Sequence, residues 1–120
     1  KRIVRRMIVV KVDKIRSYQT LVFKNGHRSF QKKEYKDYQN EIRLQLLKLP
    51  RIKDLRDIKV SIHFKCKNKV VGDLDNIGKP LLDILQSNGY IVNDKQITEL
   101  NLKKSFGYKE NTIEIEISEI

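Results

Sequence analysis

The chain has one cysteine, Cys66, and no tryptophan. A single thiol closes no internal disulfide, so the fold must stand on burial alone, and a reducing, cytoplasmic setting is the expectation. Prolines are also scarce: Pro50 and Pro80 are the only two. Repeats, low-complexity tracts and linker-like stretches are absent, which predicts one domain over residues 1–120. That length is enough to bury a core without staples. No apolar run approaches the roughly 20 residues that cross a bilayer, so no membrane partner is expected. The opening KRIVRRMIVVKV sets basic residues before apolar ones, as a signal peptide does. Its apolar run is short, Lys11 and Asp13 break it, and no small-residue cleavage site follows, so it reads as an edge of the fold.

Acidic residues are the other shortage. Fifteen Asp and Glu stand against 26 Lys and Arg, a formal charge of +11 with a pI near 9.8. The resulting positive field favours polyanions, and nucleic acid comes first because phosphate contacts release counterions. A basic surface that serves only solubility is the plain alternative. An anionic membrane is disfavoured, since no basic amphipathic helix with a strongly apolar face stands out.

Periodicity outlines an α+β domain. Residues 6–12 alternate loosely and are rich in Val and Ile, which predicts a strand. Tyr18 to Phe23 reads as a second strand, Asn25-Gly26 as a type I′ hairpin turn, and His27 to Phe30 as the return strand. Between Gln31 and Leu49 the spacing of Tyr35, Tyr38, Ile42, Leu46 and Leu49 places them on one helical face, and Pro50 stops the helix. Val60, Ile62, Phe64 and Cys66 alternate with Ser61, His63, Lys65 and Lys67 in a one-sided strand. A second helix is expected from about Asn76 to Ser87, ended by Asn88-Gly89, with Tyr90 to Val92 extended after it. Residues 97–106 and 112–119 complete a single mixed sheet packed by two helices.

One stretch runs against the charge balance. VGDLDNIGKP sets Asp73 and Asp75 on either side of Leu74, with Asn76 and Lys79 following. On extended backbone the two carboxylates share a face and repel unless a cation lies between them. Hard oxygen ligands suit Mg²⁺ or Mn²⁺, and nothing resembles a thiolate or histidine zinc site. The stretch also opens a helix, because Pro80 is best placed in a first turn, and a helix N-terminus offers free amides to a phosphate oxygen. Lys79 adds a mobile charge there. A third carboxylate, Asp94, follows the helix. Six residues from Asn88 to Asn93 span roughly 20 Å when extended, which would let the chain return to the helix start within one subunit. The bland alternative is an N-cap with an Asx-turn, and an Asp94 that merely belongs to a turn.

The residues D73-L-D75-N-I-G-K79-P-L-L-D83-I-L and G89-Y-I-V-N-D94-K-Q96-I resemble the signature of the RusA-type Holliday junction resolvases of bacteria and their prophages. The resemblance runs from about Asp73 to Leu102. It implies a RusA-like fold and a Mg²⁺-dependent endodeoxyribonuclease that works as a homodimer and nicks two strands of a four-way DNA junction symmetrically. By the same resemblance Asp73, Asp75 and Asp94 are metal-binding carboxylates and Lys79 is the essential lysine. Many members carry a second aspartate where this chain has Asn93. No small-molecule cofactor is implied.

The remaining chemistry-bearing residues read more plainly. His63 and His27 fit surface or DNA-facing positions better than catalytic bases. Cys66 reads as a small buried hydrophobe. Tyr35 and Tyr38 read as core or dimer contacts, and Asp83 as an i,i+4 partner of Lys79. Lys65, Lys67, Lys69, Lys103 and Lys104 flank the acidic stretch in sequence and are the expected phosphate contacts. Two other functions fit the same charge pattern: a basic DNA-binding module whose acidic loop is structural, and a less selective branched- or single-strand nuclease.

Overall fold

The computed structural model describes residues 5–69 and 72–120, so the first residues of the basic N-terminal stretch lie outside the described set. Its main sheet has four strands: β1 (Arg5–Val12), β4 (Ile58–Cys66), β5 (Ile97–Phe106) and β6 (Asn111–Glu119), in the order β1-β6-β4-β5. β6 pairs antiparallel with both neighbours, while β4 and β5 are parallel. A parallel pair needs a crossover, and α3 (Leu74–Ser87) supplies it. β4 keeps the strict alternation seen in its sequence, with Ile58 through Cys66 buried at every second position. In β6, Ile113, Ile115 and Ile117 are fully buried beside them.

Two longer helices cover that apolar face. α2 (Lys33–Gln45) contributes Tyr35, Tyr38 and Ile42, and Leu46 and Leu49 continue its buried face just beyond it. Gln45 bonds both the amide and the carbonyl of Lys11 (2.8 and 2.7 Å), capping part of the β1 edge. α3 buries Ile77, Leu81, Ile84 and Leu85, and Gly78 admits the close approach of β5. A Cβ at Gly78 would lie 2.8 Å from Cδ1 of Leu102. The other face of the sheet is open and mostly polar, with Met7 and Val9 exposed on it along β1.

The N-terminal third departs from expectation. Tyr18–Leu21 forms a single helical turn, α1, held by the Thr20 amide and hydroxyl on the Ser17 carbonyl (3.1 and 2.8 Å). The following strands, β2 (Val22–Asn25) and β3 (Arg28–Gln31), form a separate two-stranded hairpin outside the mixed sheet. The turn is also displaced by one residue. Asn25 pairs with Arg28, so Gly26 and His27 are central, and among the described residues only glycines have positive φ. Gly26 at φ 64° with a negative-φ residue after it is the type II′ pattern, not the type I′ that Asn25-Gly26 suggests.

Pro80 is a second departure. Asp73 is the N-cap of α3 and Leu74 its first residue, so Pro80 lies in the second turn, where it has no N–H for the Asn76 carbonyl. The end of α3 also differs. Gly89 at φ 77° and the bonds from its amide to Gln86 and from the Tyr90 amide to Leu85 (3.1 and 2.9 Å) form a Schellman cap. Tyr90 and Ile91 therefore tuck into the core and are not extended.

Candidate active site at the N-terminus of the third helix

α3 carries Asp73 and Asp75 where its backbone amides are unpaired. Its first helical bond runs from the Ile77 amide to the Asp73 carbonyl (3.0 Å), which leaves the amides of residues 74–76 without intrahelical acceptors. Asp73 is extended at the cap, but its carboxylate makes no capping bond, and both acidic side chains are exposed. The expected structural role for Asp73, an Asx cap, is thus absent. The carboxylates do not share a strand face, because Asp75 already lies in the first helical turn.

The approach to the cap is pinned from two sides. Gly72 has φ 92°, and a Cβ there would stand 3.3 Å from the Ser17 Cβ. The Lys104 ammonium donates to the Gly72 carbonyl at 2.8 Å. Lys104, expected to contact phosphate, is therefore engaged with the backbone that leads into Asp73.

Lys79 projects from the same end of the helix. Its ammonium lies 4.9 Å from the ring centroid of Tyr18, a cation–π contact. Tyr18 in turn meets Tyr35 edge-on, with centroids 6.3 Å apart at 88°. The Tyr35 hydroxyl donates to Asp83 at 3.0 Å. Burial, reinforced by that carboxylate, pushes the Tyr35 phenol well above its usual range. Asp83 is therefore the partner of Tyr35 and not of Lys79, a correction to the i,i+4 pairing read from the sequence. A cleft of about 400 Å³ beside this cluster is lined by Tyr18, Gln19, Val22, Lys24 and Asn76.

Asp94 stands at the other end. It opens a 3-10 turn (Asp94–Gln96), and its amide donates to the Gln86 side chain at 2.8 Å. Gln86 lies 11 residues beyond Asp75 along α3, a rise of about 16 Å. β5 gives a second ruler: from Ile97 to Lys104, the residue that reaches Gly72, it extends about 23 Å. Within one chain Asp94 does not return to Asp73 and Asp75, because the Schellman cap folds residues 89–91 back onto the last turn of α3. Among the described residues no group of three or more His, Cys, Asp or Glu side chains is arranged to hold a metal.

What holds Asp94 in place is Gln96, which is 5% exposed. Its Nε2 donates to the carbonyls of Asp54 and Arg56 (2.9 and 2.8 Å), and its Oε1 accepts from the amides of Val92 and Asn93 (2.8 and 3.1 Å). Asn93 completes a capping box by accepting from the Lys95 amide at 2.9 Å. An asparagine in this place serves the turn as an aspartate would.

The expected phosphate contacts divide between two faces. Lys65 lies on the open face of the sheet and pairs with Glu114 at 2.9 Å. The register sets Lys103 beside His63, on that same face. Lys67 and Lys69 are exposed in the segment leading to the acidic pair. Sequence reasoning missed Gly72, Gly78 and Tyr18. The first two carry a visible signal, glycine next to or inside a helix pattern.

Fold and site together define a basic α+β domain that presents an exposed carboxylate pair and a lysine at one helix N-terminus. A family model described as endodeoxyribonuclease RusA matches residues 12–118 of the 120. The chain belongs to the RusA family and is an endodeoxyribonuclease, a hydrolase of DNA phosphodiester bonds. No curated protein matches the chain significantly.

Proposed function

We propose that this protein resolves four-way DNA junctions by paired, symmetric nicks, as a homodimer that depends on Mg²⁺ or Mn²⁺. The observation that carries the reading is the exposed Asp73–Asp75 pair beside Lys79 on a chain of charge +11 in the RusA family. Hard oxygen donors open to solvent fit a cation that retains several waters. Such an ion, when bound, polarises a phosphoryl oxygen and lowers the pKa of water.

The chain's own groups do the rest. Asp73 and Asp75 hold the cation, and the unpaired amides of α3 face the incoming phosphate. Lys79 offsets charge that builds on the phosphoryl oxygens or the leaving oxygen. Lys104 fixes the carbonyl of Gly72 and so the direction from which Asp73 projects. Asp94 serves the carboxylate pair of a second copy, since its own pair lies at the far end of α3. A twofold axis then generates two equal composite centres, which suits two symmetric nicks. The buried lone cysteine fits a cytoplasmic protein.

A synthetic four-way junction incubated with and without Mg²⁺ tests the activity. Metal-dependent cleavage that Asp75→Asn abolishes supports it, and metal-independent binding without cleavage identifies a non-catalytic DNA-binding module. Equal cutting of junction and single strand identifies a less selective nuclease. Mixing Asp75→Asn with Asp94→Asn protein tests the composite centre. Mixed dimers regain one intact centre and nick one strand if Asp94 acts across the pair; they stay inactive if it acts within its own chain.

A further inference from the structure

The β2–β3 hairpin carries an exposed aromatic plate that the fold does not use. Phe23 and Phe30 are cross-strand partners whose rings stack with centroids 5.1 Å apart at 21°. They are 50% and 38% exposed. Side chains alternate along a strand, so the plate faces away from Val22, which is buried and anchors the hairpin. From Phe23 to Gln31 every residue is exposed. A two-stranded hairpin is marginal by itself, and the phenyl pair contributes to holding it. That role needs the rings to meet each other but leaves their outer surfaces uncovered.

The surroundings say what covers them. From Lys14 to Lys33 the chain has Lys14, Arg16, Lys24, Arg28, Lys32 and Lys33 and no acidic residue. A basic protein surface would be repelled there, and a polyanion attracted. Lys24, on the anchored face of the hairpin, lines the cleft that also contains Asn76, the residue after Asp75. The hairpin therefore borders the acidic end of α3 through its anchored face, with the plate turned outward on the other. Apolar π-faces on a basic hairpin that borders a phosphodiester-cleaving site match nucleobases joined by phosphates.

We propose that the outer faces of Phe23 and Phe30 receive bases unstacked at the branch point, so that the hairpin distinguishes junction from continuous duplex. In a linear duplex every base face is already occupied by its neighbours, and the plate finds nothing to bind. At a branch point stacking is interrupted and base faces are available. Arg28, on the Phe30 face, holds a flanking phosphate without reading sequence, and Lys24 meets the DNA backbone on the side of the α3 cleft. The inference rests on branched DNA being the ligand, but not on cleavage.

Three double variants test it in metal-free buffer with EDTA, against a junction carrying 2-aminopurine at the branch point and against a linear duplex. Phe23→Leu with Phe30→Leu keeps an apolar cross-strand pair but removes the π-faces. Phe23→Tyr with Phe30→Tyr keeps the rings. Phe23→Ala with Phe30→Ala removes both. The Leu and Ala pairs are expected to bind the junction about tenfold or more weakly, with duplex affinity within about twofold and the 2-aminopurine response lost, while the Tyr pair retains both. Junction affinity unchanged in the Leu pair overturns the proposal. So does a Leu or Ala pair that sediments as monomer where the parent is a dimer, since the plate is then a protein contact. A parent that unstacks the branch base yet cuts nothing with Mg²⁺ refutes the nuclease reading and supports this one.

Discussion

The ammonium of Lys104 and the carbonyl of Gly72 are joined by a 2.8 Å hydrogen bond that ties β5 to the segment entering Asp73. A lysine that looks like a phosphate contact in sequence is thereby bonded to backbone. Lys104→Met is expected to lower turnover about tenfold, the order of one charge-assisted hydrogen bond, with junction affinity nearly unchanged. Single-turnover kinetics and binding isotherms at several salt concentrations check this. A weaker complex whose salt slope falls by about 1 would return Lys104 to the phosphates.

Lys79 and Tyr18 are coupled through the ring face. Lys79→Ala is expected to lower kcat with little change in junction affinity, since it loses stabilisation made in the transition state. Tyr18→Phe keeps the face and should leave kcat intact. Tyr18→Leu removes it and should cost about two- to fivefold in kcat, the worth of an exposed cation–π contact. Equal kcat in Tyr18→Leu and the parent would detach Tyr18 from Lys79.

Gln96 has both donors and its acceptor oxygen engaged by four backbone groups. Gln96→Leu leaves two amides and two carbonyls to find new partners and is expected to destabilise the fold by about 3 kcal/mol. Urea unfolding measures the loss. Asp94→Asn, whose side chain is exposed, should unfold at the same midpoint as the parent and differ from it only in cleavage.

His63 sets a pH dependence of stability. Burial, then the positive charge of Lys103, lowers its pKa from the ordinary 6.5, with Glu114 opposing in part. The unfolded chain therefore takes up the proton first as pH falls. Stability from this group is complete above pH 6.5 and is lost as pH drops from 6.5 towards the folded value. His63→Gln should flatten the midpoint-against-pH curve in that window, and an unchanged slope would assign it to other groups.

The sequence disclosed most where one period dominated. The alternation from Val60 to Cys66 and the spacing of Tyr35, Tyr38 and Ile42 announce β4 and α2, because each pattern follows from burial of one face. It disclosed less where competing local rules met. Tyr18–Leu21 has strand-like composition, yet Thr20 bonding to Ser17 closes a helical turn. Pro80 was expected in a first turn, but Asp73 caps the helix a full turn earlier. The acidic pair was legible as a motif. Its separation from Asp94 was not, because chain length limits how far a segment reaches and says nothing of whether Gly89 turns it back. Likewise, alternation places Lys65 and Lys104 on their strands, but only the assembled sheet shows that they leave from opposite faces.

The saturation of Gln96 bears on how such a sequence can vary over generations. Glutamate would offer the two carbonyls no donor, and asparagine is one methylene too short to span from residues 54 and 56 to residues 92 and 93. No single exchange preserves all four links, so drift at this position is closed. Asp94, two places earlier, has a solvent-facing carboxylate that the architecture does not require. If Asp94 acts as proposed, its loss in some descendant would leave an intact but silent protein, whereas loss of Gln96 would weaken the scaffold itself.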